Sequence, residues 1–164
     1  MNEEAKRVVV VVQQVIRMPD VQPGHPDANG NRNVTWCNRA LHRILVNLGA
    51  RAELILEPRG IGWTNANAMV RNARANLGER IAPAAAQERA NAGEFIIAVA
   101  ENNQGPGHVE MCVYDTAPFN ADRGPKMGGA GATNGFGHAV QRFGNRLFPT
   151  IEYYAVPPAN SCSD

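Results

Sequence analysis

The chain has 164 residues, with 16 basic and 15 acidic side chains and a formal charge of +1. This length suits one domain with a sizeable core, and the balanced charge argues against a nucleic-acid or anionic-lipid partner, because no broad electropositive field is available. Three cysteines without a Cys-x-x-Cys pair argue against a closed disulfide framework and structural zinc, so we expect no metal and no cofactor.

The first element predicted is a helix over residues 3–17 that ends at Pro19, although its β-branched run Val8–Val12 also fits a strand. This run is far too short to span a membrane, and Glu3 and Glu4 lie where a secretory signal carries positive charge. We therefore expect no membrane insertion and no signal peptide, which means that the chain is made in the cytoplasm.

A loop and three further helices follow. Turn-forming residues crowd positions 20–33 and predict the loop. Thr35 is the predicted cap of the second helix, whose apolar stripe repeats at helical spacing until Gly49. We expect the third helix over residues 66–77 and the fourth from Pro83 to just before Gly93.

The second half of the chain predicts an antiparallel sheet, which makes the fold α+β with the N-terminal helices packed on that sheet. Residues 1–156 form one domain and residues 157–164 a frayed tail. The glycine-rich run 128–131 lacks the Gly-Lys-Ser/Thr of a phosphate loop and indicates tight strand packing. The predicted strands are 95–100, 108–114, 126–131 and 151–156, with a loop around Asn134 and a short helix over 138–143.

Cys37 and His108 are the candidate reactive pair. Cys37 lies four residues before Leu41 of the apolar stripe, so its thiol points towards the protein body from the first turn of a helix. His108 opens a strand after the turn Gly105–Gly107. A helix N-terminus and a neighbouring imidazolium both favour a thiolate, and a thiol needs its base nearby in space but not in sequence. The pattern predicts a papain-like cysteine hydrolase.

Three segments of the chain resemble the NlpC-type and CHAP (cysteine, histidine-dependent amidohydrolase/peptidase) superfamily of cell-wall hydrolases: Thr35-Trp36-Cys37-Asn38, Gly105-Pro106-Gly107-His108-Val109 and Ala130-Gly131-Ala132-Thr133-Asn134. The resemblance covers roughly residues 34–156. It implies a papain-like core in which Cys37 attacks an amide of peptidoglycan and water resolves the thioester. His108 then acts first as base and afterwards as acid.

The third catalytic position has two candidates. The resemblance implies a polar residue after the histidine strand, which falls on Asn134. The chain departs from the family at Glu110, where a small apolar residue is usual. Strand alternation places Glu110 on the same face as His108 and Cys112, so Glu110 is the alternative that orients His108 or contacts a positively charged part of the substrate.

The remaining site predictions concern the surroundings of the thiol. We expect an oxyanion hole from the backbone N–H of Cys37 and a donor near Asn33. Trp36 and Trp63 are predicted to wall the substrate groove, because flat aromatic rings suit sugar and peptide surfaces. A disulfide between Cys112 and Cys162 that leaves Cys37 free is left open by the sequence.

The resulting hypothesis is a peptidoglycan amidase or endopeptidase that cleaves an amide of the peptide stem, as an antibacterial effector or a phage lysin. Such an enzyme acts in the periplasm or cell wall after delivery by a specialised secretion system or phage lysis. An antibacterial effector also implies a cognate inhibitor (immunity) protein as partner. The alternatives are a papain-like peptidase or deamidase acting on a protein, and a catalytically silent binding module of the same fold.

Overall fold

The computed structural model describes residues 1–32, 35–56 and 64–160. These residues form an α+β fold of five α-helices and one five-stranded antiparallel sheet. The helices are α1 (Glu3–Ile16), α2 (Cys37–Asn47), α3 (Ala66–Asn76), α4 (Pro83–Asn91) and α5 (Ala139–Leu147). The strands are β1 (Ile96–Ala100), β2 (His108–Cys112), β3 (Lys126–Gly129), β4 (Gly135–His138) and β5 (Glu152–Ala155).

The sheet has the strand order β4-β3-β2-β1-β5. Strand β1 is buried along its whole length, as its continuous apolar sequence predicts for a strand covered on both faces. Strand β2 lies between β1 and β3, and its register pairs His108 with Ala100 and Glu110 with Ala98. His108 therefore stands at the first paired position of β2, where the sheet ends.

Two apolar clusters cover the two faces of the sheet. Helices α1, α2 and α3 share a cluster with Val109 and Met111 of β2. Helices α4 and α5 share the other cluster with Cys112 of β2. This separation follows from the alternation of side chains along a strand. No helix within the described residues is long and apolar enough to cross a membrane.

The predicted helices and strands are confirmed apart from differences at their ends, and three details of the prediction are wrong. The segment around Asn134 leads into strand β4, whose glycine-rich sequence has little strand propensity but pairs with β3. Helix α5 continues beyond residue 143 to Leu147, with Gly144 at a φ of +74° marking a kink inside it. Helix α2 begins at Cys37, so Trp36 and not Thr35 is its cap residue.

The predicted frayed tail is also wrong for residues 157–160. The Pro157 carbonyl accepts the Arg51 N–H at 2.9 Å, and the Ala159 N–H donates to the Gly49 carbonyl at 2.7 Å. These residues therefore add backbone pairing beside the end of α2, which the composition of the segment does not reveal. Residues 161–164, including Cys162, lie outside the described residues.

Candidate active site

Helix α2 places the thiol of Cys37 at its N-terminal end. The helix packs against β2 through Leu41, Ile44 and Leu45, which are fully buried, and Cys37 on this side is 3% exposed. The first backbone N–H groups of a helix have no acceptor within the helix, and the helix dipole places positive potential there. The position of Cys37 therefore suits a negative charge on its sulfur.

Hydrogen bonds from a side chain of α3 fix the loop that leads to His108. The Asn67 side chain donates to the carbonyl oxygens of Asn102 at 3.1 Å and Gly105 at 3.0 Å, and accepts the Asn102 N–H at 2.9 Å. Gly107 packs so closely on this amide that a Cβ there would clash with it. The turn before β2 is thus held in place, and so is His108 immediately after it.

The side chains of Cys37, His108 and Glu110 come together at the start of β2, and we call these three residues the triad. Cys37 lies close enough to His108 to raise the pKa of its imidazole. Nε2 of His108 lies 2.9 Å from Oε1 of Glu110. Because Nε2 is occupied by Glu110, Nδ1 is the ring nitrogen available to a second partner.

The triad stabilises the charged form of its imidazole. Burial alone would lower the pKa of His108, because desolvation penalises the imidazolium. Hydrogen bonding to Cys37 and Glu110 and the Coulombic interactions with them outweigh that penalty and raise the pKa of His108 from 6.5 to about 10. His108 is therefore an imidazolium at neutral pH and has a proton to give.

The ring of His108 is also held by apolar contact. Phe143 of α5 meets it edge to face, with ring centroids 4.6 Å apart and an interplanar angle of 77°. Gly131 lies on another side, where a Cβ would be 3.2 Å from Cε1 of the imidazole. The imidazole plane is thus fixed by packing as well as by hydrogen bonding.

Glu110 and Asn134, the two candidates for the third position, have different surroundings. The carboxylate of Glu110 is fully buried and contacts both His108 and Arg142 of α5. The amide group of Asn134 donates to the carbonyls of Ile16 and Val21 at 3.1 and 3.0 Å, and its oxygen accepts the Gly131 N–H at 3.3 Å. Asn134 therefore ties β4 to the end of α1, and Glu110 is the residue that orients the imidazole.

The tryptophans and the oxyanion donors are described only in part. Trp36 is 8% exposed, donates from Nε1 to the His25 carbonyl at 3.1 Å, and lies under the Arg39 guanidinium at 3.9 Å. This packing anchors the loop before α2, and a contribution of Trp36 to the groove stays a prediction. Trp63 and Asn33 lie outside the described residues.

Cys112, the other cysteine among the described residues, has no part in the triad. Cys112 is a free, fully buried thiol whose sulfur lies 3.7 Å from that of Met127. Burial, with the nearby charge of Glu110, raises the pKa of Cys112 far above its ordinary value, so this thiol stays protonated. Within the described part of the chain, no group of three or more His, Cys, Asp or Glu side chains is suited to hold a metal ion.

Neither a family model nor a curated protein matches this chain. The triad itself is therefore the main evidence for the function. Two residues that support the triad, Arg142 and Phe143, were not predicted as site residues from the sequence. They are consecutive on α5, more than 30 residues after His108, and nothing in the local sequence of α5 links them to the histidine.

Proposed function

We propose that this chain is a cysteine hydrolase of papain-like architecture, of the NlpC/CHAP type, that cleaves an amide bond in the peptide stem of peptidoglycan. The observation that supports it best is the triad: a buried thiol at a helix N-terminus, an imidazolium beside it, and a buried carboxylate on the far ring nitrogen. This is the set of groups that nucleophilic acyl transfer by a thiol requires.

Each triad residue has a role in that reaction. The Cys37 sulfur attacks the carbonyl carbon of the amide, and its negative charge passes to the oxygen, which the backbone N–H of Cys37 stabilises. The His108 imidazolium gives its Nδ1 proton to the departing amine as the C–N bond breaks and leaves a thioester. The neutral imidazole then takes a proton from water, whose oxygen attacks the thioester, and breaking of the C–S bond releases the carboxylic acid and restores the thiolate–imidazolium pair. Glu110 keeps the imidazole ring of His108 in the same orientation through both steps.

The choice of substrate rests on the motifs around Cys37, His108 and Asn134 that resemble cell-wall hydrolases. Peptidoglycan lies outside the cytoplasmic membrane, so the proposal includes delivery to the periplasm or wall by a specialised secretion system or by phage lysis. A producing cell then needs protection, and a cognate inhibitor protein is the expected partner. Triad chemistry also suits a protein substrate, which the experiment below distinguishes.

The test is to add purified protein to isolated sacculi of several wall types and to identify the soluble fragments by mass spectrometry. We expect stem fragments with a new amine or carboxyl end, and a loss by orders of magnitude in Cys37→Ser, because a Ser hydroxyl is hardly ionised where a thiolate would be. Cys112→Ala is the matched control, since it also removes a buried thiol but should keep the activity. Intact sacculi with folded wild-type protein would contradict the proposed substrate.

A further inference from the structure

Arg142 surrounds the carboxylate of Glu110 with donors. Its Nε lies 2.9 Å from Oε1 and 3.0 Å from Oε2, and its Nη2 contacts Oε1 as well. Two further guanidinium hydrogens go to backbone carbonyls, with Nη2 3.1 Å from the Gly129 oxygen and Nη1 3.0 Å from the Thr133 oxygen. The Arg142 side chain is 9% exposed and that of Glu110 is 0% exposed, so this ion pair is desolvated.

Glycines of β3 and β4 leave room for the ion pair between Arg142 and Glu110. A Cβ on Gly129 would lie 2.9 Å from Cγ of Glu110, and one on Gly137 would lie 3.2 Å from Cδ of Arg142. A side chain at Gly129 would displace Glu110, and one at Gly137 would shift the Arg142 side chain by a few tenths of an ångström. The glycine-rich strands therefore belong to the architecture of the triad as well as to the packing of the sheet.

We propose that Arg142 is a positioning residue that holds the Glu110 carboxylate, in its ionised form, against Nε2 of His108. This role rests on the proposed cysteine-hydrolase function, because it matters only if His108 serves Cys37. The side-chain hydrogen bonds of Arg142 go to Glu110, Gly129 and Thr133, so Arg142 acts on the thiol and the imidazole through Glu110.

The physical reason is the cost of a buried carboxylate. Without a cation, a carboxylate in a desolvated site takes up a proton, and it then no longer attracts the imidazolium. The planar fork of an arginine also fixes the carboxylate plane, which a lysine with its single point of charge does not. Among the residues that the structure describes, the charged or titratable groups that face His108 are Cys37 and Glu110, and those that face Glu110 are Arg142, His108 and Cys112.

The experiment measures the triad without any peptidoglycan. Cys37 is labelled with iodoacetamide at mildly acidic pH, with the modified peptide assigned by mass spectrometry, and the His108 ring is titrated by NMR. We expect Arg142→Gln to slow labelling about tenfold and to lower the His108 pKa by about one unit. Arg142→Lys should give an intermediate value in both measurements. The matched control is Arg74→Gln, which removes an arginine from another strand glutamate and should change neither.

Two further results decide the inference. In a Glu110→Gln background, Arg142→Gln should add no further loss of labelling, because its effect passes through Glu110. A folded Arg142→Gln protein that labels and titrates like the wild type overturns the proposal, and so does an equal loss in Arg74→Gln. If Arg142→Gln does not fold, Arg142→Lys is the deciding variant. Wild-type labelling of Cys37 and wild-type titration of His108 in Arg142→Lys would show that the planar guanidinium is not needed, which overturns the proposal.

These readouts separate the inference from the proposed function. A protein with rapid, Arg142-dependent labelling of Cys37 that leaves every sacculus intact supports the positioning role and refutes the substrate. A protein that degrades sacculi but labels at the same rate in Arg142→Gln supports the substrate and refutes the positioning role.

Discussion

Two strand glutamates of this protein are each held by an arginine from a helix, but their third partners differ. Glu110 of β2 is bonded by Arg142 of α5, and Glu152 of β5 is bonded by Arg74 of α3 through Nε and Nη2. In each case the carboxylate also reaches the side chain two positions away on its own strand. For Glu110 this is His108, and for Glu152 it is the hydroxyl of Tyr154, 2.9 Å away.

The two sites also differ in their contact with solvent. The Arg74 side chain is 43% exposed and shares its charge with Glu101, at 2.6 Å from Nη1, whereas Arg142 is 9% exposed and has one carboxylate to itself. An arginine from a helix that binds a strand glutamate is therefore not by itself a sign of catalysis. What distinguishes the Glu110 site is the imidazole, because it connects the pair to a thiol.

The largest difference expected between substitutions at the Glu110 site and at the Glu152 site is in catalysis. Glu110→Gln should lower the hydrolysis rate by a factor on the order of 10³, since the imidazolium loses the charge that stabilises and orients it. Glu152→Gln, the same change at the other site, should leave the rate within about twofold of the wild type. The rates are compared per folded molecule, with folding checked by circular dichroism. Equal losses in the two variants would show that the decrease reflects stability and not the triad.

The second expected difference is in stability, because Arg142 is much more deeply buried than Arg74. Arg142→Gln should lower the free energy of unfolding by about 3 kcal/mol, because it leaves the buried Glu110 carboxylate without its cation. Arg74→Gln should cost less, because Glu152 has some contact with water and Arg74 is well exposed. Urea unfolding measures both, and a larger loss in Arg74→Gln would be the opposite of this expectation.

The sequence predicted the fold more completely than the site, for a physical reason. Helical and strand periodicity is a local property, so the stripe Leu41–Leu48 and the run Phe95–Ala100 were sufficient to predict α2 and β1. The positions of Cys37 and His108 at the starts of their elements were readable for the same reason. Strand β4 was missed because its glycines carry no propensity and its ladder with β3 is a tertiary effect.

The third triad position shows where sequence reasoning reaches its limit. Alternation along β2 placed Glu110 beside His108, which made it a candidate, while the motif resemblance favoured Asn134. The choice depends on the direction in which each side chain points, and for Asn134 this is set by carbonyls more than 110 residues away in sequence. Arg142 is equally remote from Glu110 in sequence, and only the packing of α5 on the sheet brings it there.

The third prediction contrasts the pH dependence of the two sites. The folded pKa of His108 is raised, so its stabilising contribution is complete below about 6.5 and is lost as the pH rises towards about 10. Activity should fall over the alkaline end of that range, because the amine then leaves without its proton. Cys37→Ala should lower the His108 pKa measured by NMR, since one of the two groups that raise this pKa is gone. A His108 that titrates near 6.5 in the wild type would refute the coupling.

The stabilising contribution of Glu152 depends on pH in the opposite direction to that of His108. Burial opposes its ionisation, but the hydrogen bonds from Arg74 and Tyr154 hold its pKa below the ordinary value of 4.5. Its stabilising contribution is therefore present above about 4.5 and is lost as the pH falls through the lowered folded value. Glu152→Gln should flatten the acid side of the stability profile measured by urea unfolding and leave the alkaline side unchanged. A change on the alkaline side would mean that the two sites are coupled.

The smallest effect concerns the third partner of Glu152. Tyr154→Phe removes the hydroxyl that donates to Oε1, while both arginine contacts to the carboxylate remain. The free energy of unfolding should fall by about 1 kcal/mol, the usual loss for one hydrogen bond whose acceptor keeps other donors. The hydrolysis rate should not change, whereas His108→Gln at the equivalent place in the other site should abolish it. A tyrosine variant with impaired hydrolysis would show that β5 transmits its packing to the triad through β1, and that the two glutamate sites are not independent.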